Sequence, residues 1–428
     1  MRLVIESIDI NDVQEGLKTC AQEGVLQINF KELEELILKD ARIKSVDINL
    51  ACPGDKTRIL NVQDVIQPRC KVDKEDADFP GFIGKMQIAG SGKTRSLRGT
   101  AVVVCNPSTN RAESGLLDMS GPVAELSPYG KMKNLVVAPY VAEGVGERDF
   151  EDAVKNAGYK AAVYMAQAAE GLTVNEVEVF ESDLTECAKS DLPRVALYYQ
   201  TYSPQFDYLA VSDKVVYGNN ISFNMPIVVH PNEVLDGGFV GWNALKGIDS
   251  YCIQNHGVIK ELYKHHGKDL NFVGVVAATA NMDADSRNRG ASMSAHLIKN
   301  ILGADAAIIQ KILGGMPHID ISTTGIECEK LGIKTCVYTT PLTSTGTLGD
   351  TILFNDELLD LITISGNQFE KTKIHFQAEK FLGGAADTRL YSQGIEQYAG
   401  DPVIDIEEYL LAGVHDLTGN REIIVKEY

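Results

Sequence analysis

Few stretches of this chain place reactive side chains at a spacing that chemistry could use. Gly90-Ser91-Gly92-Lys93-Thr94 has the ending of a phosphate-binding loop. The full pattern needs a glycine five positions before the Gly-Lys pair, where Gln87 stands. It also needs a helix behind the loop, with its amino end facing the phosphates. A strand-like run follows instead, so the segment reads as the turn of a hairpin between GKMQIAG and TRSLRGTAVVVC. His265 and His266 are adjacent and diverge on a helix, so they read as a basic helix end closed by Gly267. Asp283, Asp285 and Asp320 could hold a divalent cation, but acids in these places also open helices, and capping is the simpler reading. No metal is expected. The eight cysteines include no C-x-x-C pair and read as buried reduced thiols.

The most distinctive segment is HPNEVLDGGFVGWNA, residues 230–244. The strand-like MPIVVHP runs into a glycine-rich turn holding His230, Asp236, Gly237, Gly238, Gly241 and the only tryptophan, Trp242, followed by Asn243 and Ala244. From composition alone it is either a substrate loop or a plain connection.

The elements that would carry it follow from hydrophobic period. Residues 1–75 read as a small α+β unit, with strands at Leu3–Ile10, Val25–Asn29, Val46–Leu50 and Arg58–Val62 and a helix at Lys31–Lys39. Residues 76–190 read as a β-rich domain ending in an alanine-rich helix, Asp149–Glu170. Residues 191–428 read as an α/β domain. RVALYYQTY, FVGVVAAT, DAAIIQK and TCVYT are strand-like, with helices over Ser286–Leu302 and Ile326–Leu331 and a further strand at Leu358–Ser365. Strands alternating with helices predict a parallel sheet with flanking helices. The fold class is therefore α/β and multidomain.

Composition limits the function classes. The 428 residues carry 40 basic and 59 acidic side chains, a net charge of −19. Such a surface repels phosphate backbones and anionic lipid, so neither nucleic acid nor membrane is an expected partner. The opening MRLVIESIDIND lacks the basic and apolar regions of a signal peptide, and no apolar run is long enough to span a bilayer. A cytoplasmic protein is expected.

Several ordered segments resemble the precursor of the two smaller component B subunits of glycine, sarcosine and betaine reductases. They are FPGFIGK at 79–85, LDMSGP at 117–122, HPNEVLD at 230–236, and YKHHGK at 263–268 with NFVGV at 271–275. The likeness runs along nearly the whole chain. It implies a subunit of a selenoenzyme reductase that cleaves the C–N bond of glycine or an N-methylated glycine. In that family the precursor cuts itself before a cysteine, which becomes a pyruvoyl group. The thiol attacks the preceding carbonyl, elimination leaves dehydroalanine, and hydrolysis gives a ketone that can form an imine with a substrate amine. The implied partners are a selenocysteine-containing component B subunit, a small selenoprotein carrier, an amino-acid or betaine substrate, and further copies in an oligomer. The related proline reductase precursor uses the same chemistry but is longer.

The expected bond aligns with Asn243–Ala244, and here the chain departs from the family, because alanine has neither a nucleophile nor a leaving group. Asn243 would supply the acyl carbonyl, and Gly237, Gly238 and Gly241 the backbone freedom. Cys252 is the nearest alternative thiol. Two explanations fit Ala244: a replacement that traps the uncleaved precursor, or a pyruvoyl-free paralogue acting as a binding or scaffold subunit. Betaine suits the second, since a quaternary ammonium has no N–H for an imine, and Trp242 could face such a cation or simply be buried.

Overall fold

The computed structural model describes residues 1–108, 111–112, 115–187, 191–201, 225–241, 248–280, 283–311, 317–340, 352–359, 361–364, 371–392 and 395–420. It has a mixed α/β architecture of several sheets. A four-stranded sheet contains β1 (Arg2–Asp9). A six-stranded sheet contains β2 (Ile43–Ala51) and β3 (Thr57–Ile66). The strands β4 (Arg69–Lys71) and β5 (Gly92–Arg98) join the first sheet. In the second lie β6 (Thr100–Cys105), β7 (Gly115–Asp118) and β8 (Lys133–Val141). With β9 (Glu176–Glu181) the smaller sheet has the order β9–β1–β5–β4. The larger has the order β7–β3–β6–β8–β2, with the short strand Lys380–Leu382 paired to β3. It thus draws on both sides of residue 75 and on a segment beyond residue 370.

The hairpin expected around Ser91 does not form. Residues 85–91 make no strand, and β5 instead pairs in parallel with β1 and antiparallel with β4. The reason is local: Gly90 and Gly92 both take positive φ, and the Gly90 N–H is drawn to a carboxylate far along the chain, described below.

Two of the helices that precede the C-terminal region pack against these sheets along an apolar stripe. The first, α1 (Phe30–Ile37), buries Leu33 and Ile37 and is capped by Asn29. The second, α2 (Glu147–Ala168), has buried Ala153, Val154, Ala157, Ala161, Ala162, Met165 and Ala166, a stripe of helical period. It lies on the six-stranded sheet so closely that a Cβ at Gly158 would stand 2.0 Å from Val104 Cγ2 and 2.8 Å from Ile66 Cδ1.

The C-terminal sheet is built as the alternating pattern predicts. Its strands are β10 (Arg194–Thr201), β11 (Ile227–Val229), β12 (Asn271–Thr279), β13 (Ala306–Gln310), β14 (Lys334–Thr339) and β15 (Leu361–Ile364). They lie in the order β11–β12–β10–β13–β14–β15, all parallel except the edge strand β11. Among the described residues the helices that accompany these strands include α3 (Pro231–Leu235), α4 (Ser250–Gln254), α5 (Gly257–His265), α6 (Ala284–His296) and α7 (Pro317–Lys330). One face packs Leu197, Tyr199, Phe272 and Val275 with Ile259 and Leu262 of α5. The other packs Ala196, Tyr198, Val273 and Val276 with Ala295 of α6 and with Ile321 and Cys328 of α7. Helices on both faces bury every residue of β12.

Replacing Gly158 with alanine sets helix propensity, a gain of about 1 kcal/mol, against overpacking, a cost of about 1–3 kcal/mol. The 2.0 Å approach to Val104 lets the second win. Urea unfolding of Gly158→Ala is therefore expected to show a lower midpoint than the parent.

Candidate functional site

The turn after β11 is built by its own side chains. His230 caps α3: its Nδ1 accepts from Asn232 N at 3.2 Å, while Glu233 accepts from His230 N at 2.6 Å. His230 Nε2 lies 3.0 Å from Ser182 Oγ. Burial, aided by the nearby chain amino terminus, lowers the imidazole to about 4, and burial raises Glu233 to about 7. His230 is therefore a neutral cap with both ring nitrogens engaged. Gly237 has φ +81 and lies against Phe79, whereas Gly238 and Gly241 are not left-handed.

Asp236 ends the same turn and is buried. Its carboxylate accepts from Lys71 Nζ at 2.8 Å, Gly90 N at 2.9 Å and Thr94 Oγ1 at 2.6 Å. Lys71 Nζ also donates to Ser91 O and Thr94 Oγ1, both at 2.8 Å. The Gly-Ser-Gly-Lys-Thr run therefore does wrap an anion, but the anion is the protein's own.

A second buried cluster holds the two sides of residues 242–247. Asp64, on β3, accepts from Ser250 N at 2.8 Å, Ser250 Oγ at 2.6 Å and Tyr159 OH at 3.3 Å, and pairs with Lys155 Nζ at 3.1 Å. Lys155 Nζ also donates to Gly241 O, and Gly241 N donates to Ser250 Oγ at 2.9 Å. Gly241 and Ile248 consequently stand together. A Cβ at Gly241 would lie 2.9 Å from Ile248 O and 3.0 Å from Asp64 Oδ1, so glycine is required there by close approach rather than by φ. Next to this cluster, Tyr129 OH donates to both oxygens of Asp249 at 2.7 Å. Trp242, Asn243 and Ala244 lie outside the described residues, so the expected bond is located only through these flanks.

Sequence reading missed Asp64, Lys155, Ser250, Asp249 and Tyr129. Lys155 sits in an alanine-rich helix and Asp64 in a strand, and neither belongs to a motif. Cys252, the alternative thiol, lies inside α4 with its N–H bonded to Asp249 at 2.8 Å. Burial, reinforced by Asp249 and Asp416, drives its thiol far up. A protonated thiol in a regular helix does not attack the preceding carbonyl. The acids Asp283 and Asp320 serve as structural groups: Asp283 caps α6 through Ser286 N at 2.7 Å, and Asp320 accepts from Gln200 Nε2 at 3.4 Å. His265 ends α5 between Glu261 and Asp269, and Gly267 follows with φ +73.

Burial lifts the Asp249 carboxyl from 3.8 to about 7. The folded chain then holds a proton that the unfolded chain has released above about pH 4, so stability falls as pH rises from about 4 to about 7. Glu233 contributes in the same direction. Asp249→Asn keeps the helix cap and removes one titration. Its stability, followed by denaturation at a series of pH values, is expected to decline less steeply across that window than the parent's.

The comparisons with known proteins cover the chain from end to end. The family described as glycine/sarcosine/betaine reductase component B subunits matches residues 1–426. The glycine reductase complex component B subunits alpha and beta of Peptoclostridium acidaminophilum are 33% identical, over the full length of both chains. The sarcosine reductase complex component B subunit alpha of the same organism is 36% identical over 79% of each chain. The glycine reductase complex component B subunits alpha and beta of Acetoanaerobium sticklandii are 31% identical over all of both. No solved structure matches. Matched over residues 1–426 and more than 30% identical to these relatives, the chain belongs to the glycine/sarcosine/betaine reductase component B family.

Proposed function

We propose that this chain is the substrate-activating precursor subunit of a cytoplasmic, oligomeric reductase that cleaves the C–N bond of glycine or an N-methylated glycine. The observation that supports this reading best is the brace around residues 242–247. Asp64, Lys155 and Ser250, drawn from three distant segments, hold the peptide on both sides of the expected processing bond. Lys155 donates to the Gly241 carbonyl and Ser250 accepts from the Gly241 N–H, so the backbone two residues before Asn243 is fixed at both polar atoms.

Residue 244 itself does not fit the pyruvoyl group. A methyl side chain has no lone pair for the acyl shift and nothing to eliminate, so the chain as it stands is unprocessed and no step is assigned through that group. Its remaining task is to bind and orient the substrate. The chain contains no selenocysteine, so the nucleophile belongs to the selenocysteine-containing component B partner. There a selenolate lone pair forms the Se–Cα bond while the Cα–N bond breaks. The amine leaves with that electron pair and takes up a proton, and the carboxymethyl group passes to the small selenoprotein carrier.

Intact mass of Ala244→Cys under reducing conditions tests the reading. Two fragments divided at residue 244, the later one blocked by a pyruvoyl mass, are the expected result. On that background Lys155→Met is expected to slow cleavage at least tenfold while the chain remains folded by circular dichroism. A single unbroken 46.6 kDa species for Ala244→Cys would instead identify a pyruvoyl-free binding subunit.

A further inference from the structure

The carboxyl edge of the C-terminal parallel sheet holds a group the preceding chemistry does not use. Lys311 follows β13 directly, with its N–H bonded to Tyr338 O of β14 at 3.0 Å. Its side chain is 0% exposed, and Nζ has no hydrogen-bond partner among the described residues. Desolvation alone acts on the amine and drives it well below its ordinary range, with no carboxylate among the described residues opposing that effect. An ammonium is donor-only, so a buried one needs an acceptor.

No described residue accepts a hydrogen bond from Lys311 Nζ. Its charge acts on His318, on the first turn of α7, and helps lower the imidazole to about 3, after burial, which is the larger cause. His318 Nε2 is 3.0 Å from Thr340 O, and Nδ1 receives Leu353 N at 3.4 Å, so both ring nitrogens are taken and the ring is neutral. Asp320, the nearest acid along α7, is engaged by Gln200 Nε2 at 3.4 Å and acts on Tyr198. Two further polar groups at this edge also lack partners among the described residues. Thr340 Oγ1, just past β14, is one; Nε and Nη1 of Arg287, on the first turn of α6, are the other. Because α6 and α7 follow parallel strands, their amino ends lie at this same edge, where helix dipoles favour negative charge.

We propose that this edge is an anion site, and that Lys311 binds the carboxylate of the small zwitterionic substrate. This rests on the substrate class proposed above and names the residue that would select it. Glycine, sarcosine and betaine share a carboxylate, whereas only betaine carries a quaternary nitrogen, so a site for the shared group explains how one scaffold serves all three. The entering carboxylate supplies the missing acceptor, and the amine takes up a proton from solvent as the pair forms.

Isothermal titration of the full chain at pH 8 tests this with betaine, choline and acetate in two buffers of different ionisation enthalpy. Betaine is expected to bind with uptake of about one proton, and choline, which lacks the carboxylate, at least tenfold more weakly. Lys311→Met is expected to lose at least tenfold in betaine affinity and all proton uptake. It should also melt at a higher temperature, because an unpartnered buried amine has been removed. Undiminished betaine binding by Lys311→Met, or equal binding of choline, overturns the anion site and leaves the substrate class standing. Lysine-dependent acetate binding without any binding of betaine, glycine or sarcosine upholds the anion site and sinks the substrate class. A lower melting temperature for Lys311→Met with no change in binding makes the lysine structural and overturns the proposal. Failure of the parent chain to bind either acetate or betaine also overturns it.

Discussion

The flanks of residues 242–247 are held by one buried carboxylate. Asp64 is fully buried and meets Lys155, Ser250 and Tyr159, which reach it from two segments about 90 and 186 residues away. A buried ion pair adds little net stability over well-packed apolar groups, but removing one partner costs about 3–5 kcal/mol. The contribution of Asp64 is therefore positional. It fixes α2 to β3 and α4 to both, and in doing so draws Gly241 and Ile248 together. Had an apolar set filled this space, the same area would be buried without specifying where the Gly241 carbonyl points. Lys155 could then no longer face it.

The parts of the fold legible in the sequence are those whose burial leaves a periodic trace. FVGVVAAT reads as a strand because both faces of β12 are covered, and the alanine stripe of α2 reads as a helix because a sheet lies under it. α7 is longer than the Ile326–Leu331 expected, beginning at Pro317. Its first half is rich in Ser, Thr and Gly. There Ser322, Thr323 and Thr324 return their hydroxyls to carbonyls three or four residues back, and burial overrides a weak local preference. The Gly90–Thr94 segment misled for the opposite reason. Its local signal was sound for a turn that grips an anion, but nothing local showed that the anion was Asp236, 142 residues beyond Thr94.

The candidate site divides in the same way. His230, Asp236 and the glycines could be chosen from sequence because they lie in one turn with a capping box. Asp64, Lys155, Asp249 and Lys311 could not, since each takes its meaning from burial and from partners that no spacing rule connects. The expected bond was assigned through family resemblance, and the structure describes its flanks, which end at Gly241 and resume at Ile248. The brace at Gly241 remains built although residue 244 lacks the atom that would use it. What is fixed is the Gly241 backbone, at both its N–H and its carbonyl, three residues before position 244.

Charge accounting separates Lys311 from the other buried cations. Arg58 is bonded to both oxygens of Asp118 at 2.7 and 2.8 Å, Lys71 meets Asp236 at 2.8 Å, and Lys155 meets Asp64 at 3.1 Å. Arg69 has no such pair, but its guanidinium donates to Leu235 O and to Gln67 Oε1. In a chain with 59 acids and 40 bases, a carboxylate to match one more lysine is not scarce. Leaving Lys311 unmatched is therefore a feature of the site and not of the composition. An amine held there costs stability that methionine or leucine would not, and proteins retain such costs where binding or chemistry uses the group. Its place at the end of a parallel strand, beside the amino ends of two helices, is where α/β sheets receive anionic ligands. A buried amine without a partner among the described residues at that edge is what an entering carboxylate would complete.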